Sequence, residues 1–373
     1  MKKLGEYLEH LKNTGHTIYL VGSVGSIPAI AAALSLWELV EPYKEFIDGI
    51  RAASGSGIPL SLAASGISAV KIREELLKLH LKDIVEDIGF FAEHNQGKGV
   101  LGKLRDLKAY YLHWFKAAST IVSHLVDHRI GIVRGENMKK LLDRNLLTND
   151  FRVTSPPLEI VATLLEGSKT YIFSKETTPD ISISEAVVAS CAIRHIIAIQ
   201  TIKGQKFVDA AQKESIPLLS VIDSHIKRGL DPKKLVIIGT FVHTLPREGP
   251  GAYHFLELEK YFTSSGHLEL FRRDMEIAKL RGAKCMILEF NSTKVVLPSA
   301  DPFTDFLEFG YGFRQLRKLV AAIFNKGQLE KLLRGVSIHL YKELNMQHLL
   351  YYLDLFDKTI EEKIKRQINN SNI

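Results

Sequence analysis

Ser54 stands in a stretch, Ala52-Ala53-Ser54-Gly55-Ser56, in which no side chain is larger than a hydroxymethyl group. That run limits the backbone more than any other feature of the chain. Upstream lie the loop Gly22-Ser23-Val24-Gly25-Ser26 and the segment Tyr43–Ala52, charged but with apolar residues, which leads in as a strand. Downstream, residues 57–70 carry no charge and are rich in Ala, Leu, Ile and Ser, as a buried helix would be. A serine among tiny residues between a strand and a buried helix is the arrangement of a nucleophile elbow. Its turn is too tight for larger neighbours, and it pushes the hydroxyl out at a helix N-terminus, where free N–H groups and the helix dipole favour negative charge. The same letters also suit an ordinary N-cap serine, so both roles stand at this point.

A chain of 373 residues can hold one large α/β domain with an appendage, or two modest domains. Its formal net charge of +7 would draw it to anionic lipid or nucleic acid. No run of five or more like charges marks a nucleic-acid arm, so nucleic acid is not an expected partner. Cys191 and Cys285, the only two cysteines, make neither a disulfide framework nor a zinc pattern, and suit a reducing compartment. No metal and no cofactor is expected. Met1–Glu6 leads into a charged helical pattern rather than a secretory signal, which implies a cytoplasmic or peripheral-membrane protein. Residues 17–36 are uncharged over the length of a membrane span. Their interior, Gly22 to Pro28, instead reads as a strand stop, a loop and a helix start, which gives a strand over Thr17–Val21 and a buried helix over Pro28–Leu39.

Beyond the elbow, helical spacing runs from Lys71 to Tyr111 and from Trp114 to His128, with Asn95–Gly99 as a break, and returns over Met138–Leu146. Leu158–Thr163 and Thr170–Phe173 read as paired strands around the turn Glu166–Lys169. Ser184–Ile199 reads as an apolar helix, and Gly204–Ala211 as a short strand ending in an acid. Lys234–Thr240 and Lys284–Phe290 are buried strands. Strands that are nearly continuous in Val, Ile and Leu, alternating with helices, argue for a mostly parallel sheet covered on both faces. Sites in such sheets lie beyond the carboxyl ends of strands, where both Ser54 and Asp209 fall. From about Asn325 the chain turns helical, so the division expected is 1–325 for the main domain and 326–373 for a C-terminal helical extension. Trp37 and Trp114 are expected as core anchors.

These features together resemble the patatin-like phospholipases, over roughly residues 15 to 325 and in order. The elbow and its helix, Ala52 to Gly66, are similar to the family's G-x-S-x-G segment. Pro179 to Ile193, with Ala186-Val187-Val188-Ala189-Ser190 inside it, is similar to the family's A-V-x-A-S helix. Phe207-Val208-Asp209-Ala210-Ala211 looks like the catalytic-acid strand, and Asp305–Leu307 with Gly310-Tyr311 like the end of the domain. The resemblance implies a three-layer α/β/α fold and a lipid acyl hydrolase of phospholipase A or lysophospholipase type. Ser54 would be the nucleophile and Asp209 its base, with no histidine, through an acyl-enzyme. A carboxylate can serve where burial raises its pKa and hydrogen-bond reach is met. The oxyanion and substrate would be held at Gly22, Ser23, Val24, Gly25 and Gly55. The implied partners are phospholipid or lysophospholipid, a membrane surface, and a protein activator of the kind that switches on effectors delivered into host cells without a Sec signal.

Some positions depart from the family. The loop reads Val21-Gly22-Ser23-Val24-Gly25-Ser26 where G-G-G-x-R-G is usual, and so lacks the basic residue. Ala52 and Ser56 replace glycines, the acid motif is Asp-Ala-Ala, and Arg194 or His195 stands where the helix usually meets Pro. A scaffold with weak or no turnover therefore stands as the alternative. A Ser–Asp–His order would need His243 or His254, beyond the strand Lys234–Thr240. Against that order, few strands precede Ser54, and the match around Asp209 has no place in it. The segment Gln347–Arg366 suits either an anionic interface or a helix packed on the domain.

Overall fold

The computed structural model describes residues 2–79, 133–193, 197–243 and 255–291, with single helical positions between 353 and 366. The expected helices within 80–132, Arg194, His195, His254, Asp305–Leu307, Gly310-Tyr311 and the 325/326 boundary lie outside the described residues.

The chain enters through α1 (Lys2–Asn13) and β1 (Thr17–Gly22), then α2 (Ser26–Val40), β2 (Gly49–Ala53), α3 (Gly57–Ala64) and α4 (Ala69–Leu77). After α5 (Glu136–Asn145) come the hairpin of β3 (Leu158–Leu164) and β4 (Lys169–Phe173), α6 (Ile183–Ser190), and a second hairpin of β5 (Gln200–Ile202) and β6 (Gln205–Val208). The rest is α7 (Leu218–Lys227), β7 (Leu235–His243), α8 (Phe255–Leu280) and β8 (Lys284–Asn291). The uncharged run of residues 17–36 is thus a strand, a loop and most of a buried helix. Among the described residues no helix is long and apolar enough to cross a membrane.

One sheet of eight strands runs in the order β5-β6-β3-β2-β1-β7-β8, with β4 on β3. The β3-β2-β1-β7-β8 part is parallel, and β4, β5 and β6 join antiparallel. Period-two alternation sends side chains to two cores. On one face Ile18, Leu20, Ile50, Ala52, Ile160 and Ile238 pack with α1 to α6. On the other, Tyr19, Val21, Ile237 and Phe241 pack with Val221 and Ile222 of α7 and Phe271 of α8. The α/β/α layering follows from these two apolar faces. Leu353, Phe356, Ile360 and Ile364, on one helical face, are buried in the first core, with Phe356 edge-on to Phe290. Arg73 on α4 bonds both Glu38 of α2 and Asp357, so the C-terminal segment packs on the domain at the described positions.

One expected boundary changes. The helix expected over Ser184–Ile199 ends at Ser190. Tertiary pairing takes over the backbone there: Ala192 O accepts from Asp209 N–H, and Ala198 N–H donates to Val133 O. The expected Gly204–Ala211 strand turns out to be the second arm of a hairpin whose two-residue turn, Lys203-Gly204, has both φ positive, as such tight turns require.

A charged cluster lies between the sheet and α7, with Arg51 and Glu159 buried and Arg228 exposed at its edge. Arg51 on β2 donates from Nε to Glu159 on β3 and from Nη2 to Ser224. Glu159 also accepts from Arg228, which bonds the Tyr19 hydroxyl. Removing one member of a buried pair leaves the other's charge poorly compensated, at about 3–5 kcal/mol, and without Arg51 Glu159 would keep only the more exposed Arg228. Arg51→Met is expected to cost that much in urea unfolding, and adding Glu159→Leu to recover most of it. A single variant within about 1 kcal/mol of wild type would contradict the assignment.

Glu214 lies near this cluster and accepts from Ser220. Burial lifts its carboxyl above the ordinary 4.5, ahead of the opposing Ser220 bond and Arg51 charge. The folded protein therefore keeps a proton that the unfolded chain releases, and stability falls as pH rises from 4.5 through the raised value. Glu214→Gln should be more stable than wild type at neutral pH, with the difference closing towards about pH 4. Urea unfolding across that range checks this, and a constant difference would refute it.

Candidate active site

Three strands pair with β3, which has only two edges. β4 takes Ile160 to Leu164, and so overlaps the stretches used by both β2 and β6. β2 and β6 must therefore share the other edge. β2 runs parallel to β3 and ends with Ala53 opposite Val161; β6 runs antiparallel and ends with Val208 opposite Thr163. The two strands approach head-on with Ala162 between their ends. The next residue on one is Ser54, and on the other Asp209.

Their side chains meet there. Ser54 Oγ donates to Asp209 Oδ2 at 2.7 Å, with Ser54 3% and Asp209 2% exposed. Ser54 has φ +53°, a left-handed backbone that costs a non-glycine residue about 1–2 kcal/mol. Asp209 is fixed on every side. Its Oδ1 accepts from Ala211 N–H at 2.7 Å, its N–H donates to Ala192 O, and its carbonyl accepts from Thr163 Oγ1. Ala211 O lies 2.8 Å from His267 Nε2, which ties α8 to this loop. The Cys191 thiol is pushed up by burial and then by the Asp209 charge, which keeps it from acting as a nucleophile.

The tiny residues of the elbow are explained by contact. A Cβ on Gly55 would lie 2.5 Å from the backbone oxygen of Ser26, so loop and elbow touch backbone to backbone. A Cβ on Gly22 would lie 2.3 Å from Ser56 Oγ. Ser56, which stands where the family has glycine, bonds Ala53 O and Ala53 N–H with its hydroxyl and fills the room that Gly22 leaves. Gly25 at φ +139° and Ser26 at φ +56° turn the loop into α2. The N-terminus of α2 therefore lies beside the elbow, and α3 starts three residues after Ser54.

Gly22 and Gly55 lie where the loop touches the elbow, and the Val24 side chain packs with Ala53 and Ala210 beside the pair, while Val24 N–H donates to Ser215 O at 3.0 Å. Ser23 Oγ accepts from Val242 N–H and so fixes the loop to β7. His243 is bonded to Glu289 at 2.9 Å, while the partner of Ser54 is a carboxylate. Sequence reasoning assigned no role to Ser190, whose Oγ accepts from Ser54 N–H, or to His267. A serine closing an otherwise apolar helix was the signal for Ser190; nothing in the local sequence marks His267.

Fold and site together define an α/β/α protein with a buried serine–carboxylate pair at converging strand ends. The chain belongs to the patatin-like phospholipase family, a family of lipid acyl hydrolases, whose model matches residues 23–222, more than half of the sequence. No curated protein matches the chain. Among solved structures, VipD from Legionella pneumophila is similar at 14% identity and a TM-score of 0.32, over 82% of this chain and 67% of that one. The type III effector protein ExoU is similar at 14% identity and 0.29, over 69% and 53%. The ExoU–SpcU complex of the Pseudomonas aeruginosa type III secretion system gives 16% and 0.30, over 70% and 52%. The chain thus spans about two thirds of the VipD chain and about half of the ExoU chain. Family membership rests on the sequence match.

Gly22→Ala should overpack the elbow and cost about 1–3 kcal/mol. Ser56→Gly in the same chain removes the Oγ and Cβ in the way and should recover part of the loss, the rest being the two Ala53 bonds that go with the hydroxyl. Chemical unfolding of both variants checks this, and a neutral Gly22→Ala would show that the contact is not tight.

Proposed function

We propose that the protein hydrolyses acyl esters of phospholipid or lysophospholipid, with Ser54 as nucleophile and Asp209 as its base. The observation that carries this reading is the 2.7 Å bond from the Ser54 hydroxyl to a buried carboxylate, at an elbow with φ +53°. Asp209 takes the hydroxyl proton while Ser54 Oγ attacks the ester carbonyl carbon. The oxyanion forms within reach of Gly55 N–H and the Ser23 and Gly25 N–H groups, beside the N-termini of α2 and α3. Asp209 passes its proton to the departing alcohol or lysolipid, which leaves an acyl group on Ser54. Water, deprotonated by Asp209, then attacks that carbonyl, and the proton returns to Ser54 as the fatty acid leaves.

The net charge of +7 supports work at an anionic lipid surface. A second reading, a scaffold with little turnover, is favoured by one observation: Val24 N–H is engaged with Ser215. Loss of one oxyanion donor costs roughly 10²–10³ in kcat, so the proposed enzyme is slow rather than dead. The test is fatty-acid release from defined phospholipid vesicles and fluorophosphonate labelling, each with and without eukaryotic cell lysate to reveal a required activator. Ser54→Ala should abolish both signals, and Asp209→Asn should lower them by about 10²-fold or more. Labelling that survives Ser54→Ala would refute the assignment. A wild type inert in every arm would leave the scaffold reading.

A further inference from the structure

Holding Ser54 in its left-handed conformation needs an outside agent. β2 lies between β1 and β3, so alternate N–H groups point to β3, as Ile50 N–H does to Pro157 O, but at Ser54 the chain turns away and the ladder ends. β6 arrives from the opposite direction only at Thr163. Between the two strand ends a rung is missing.

Ser190 fills it. The last residue of α6, 0% exposed, accepts Ser54 N–H on its Oγ at 2.7 Å and donates to Val161 O at 2.5 Å. A hydroxyl has one proton and two lone pairs. With the proton on Val161 O, a lone pair faces Ser54 N–H. Two residues on, Ala192 O accepts the backbone N–H of Asp209. One turn of chain therefore grips the backbone of both members of the pair.

We propose that Ser190 is a positioning residue for the nucleophile: its hydroxyl replaces the missing rung and holds the Ser54 backbone where Oγ points at Asp209. This rests on the Ser54–Asp209 reading above. The plain alternative is a satisfied core serine whose loss affects only stability. Ser61 is the control, since it is equally buried and its hydroxyl donates to Ile58 O within α3, apart from the pair.

The experiment measures kcat and KM on a soluble p-nitrophenyl ester, and the rate of fluorophosphonate labelling, well below each variant's unfolding temperature. Ser190→Ala should lower kcat by about 10- to 100-fold with KM within about twofold, as misplacement by a fraction of an ångström does. Ser190→Thr, which keeps the hydroxyl, should retain more activity than Ser190→Ala, while Ser61→Ala should keep the wild-type kcat despite lower stability. If Ser190→Ala does not fold, Ser190→Cys, of similar volume but a poor acceptor, takes its place with the same expected loss. Wild-type kcat in the folded Ala or Cys variant, or an equal loss in Ser61→Ala, would overturn the proposal. Ser54→Ala and Asp209→Asn run alongside. If either stays active, the underlying reading fails. If both are inactive while Ser190→Ala is fully active, the positioning role alone fails.

Discussion

The site depends on the geometry of one strand edge. β3 has one free side after β4 is paired, and two strands of opposite direction compete for it. Neither can run its full length, so each stops at the residue where it would collide with the other. The chain at each stop must turn out of the sheet, and what turns out are Ser54 and Asp209. Residues 155 positions apart in sequence meet because a hydrogen-bonding edge was too short for both strands. Their contact needs no loop flexibility, since each is the first residue past the last rung of a rigid strand.

Such a junction leaves backbone groups without ladder partners, and buried groups of that kind cost about 1–3 kcal/mol each if left bare. Side chains and turns meet the demand: Ser190 between Ser54 and Val161, Thr163 on the Asp209 carbonyl, Ala211 N–H on its carboxylate. The polar residues around the pair serve as structural replacements for strand hydrogen bonds as much as chemical equipment. The loop before α2 shows the same economy. Val24 N–H donates to Ser215 O and the Ser23 hydroxyl accepts from Val242 N–H, which together hold the loop to its neighbours.

Much of this was legible in the sequence, for identifiable reasons. The elbow was visible because steric exclusion writes itself directly into composition: Gly55 and Gly22 have no room for a methyl group. The buried strands and α2 were visible because burial on all sides removes charge. The position of Asp209 came through resemblance and motif order, since a strand of four residues, Gln205–Val208, has too little periodicity to reveal its partner. The convergence on β3 was not legible, because register between strands far apart in sequence leaves no local trace. The same limit explains the overlong helix after Ser184. Its apolar residues continue past Ser190, but the carbonyl of Ala192 is claimed by Asp209 from elsewhere in the fold. Val24 looked like a loop donor for want of any sign that Ser215 would lie opposite.

The segment that carries the family likeness, residues 23–222, has different borders from the body that folds. β1, in the middle of the sheet with β2 on one side and β7 on the other, ends at Gly22, just before that segment begins. β7, β8 and α8 come after it, and the helical positions that bury Leu353, Phe356, Ile360 and Ile364 come later still. A piece cut at residues 23 and 222 would keep β2, β3 and β6 but lose β1, the strand that borders β2 on its other side, and with it the join to β7 and β8.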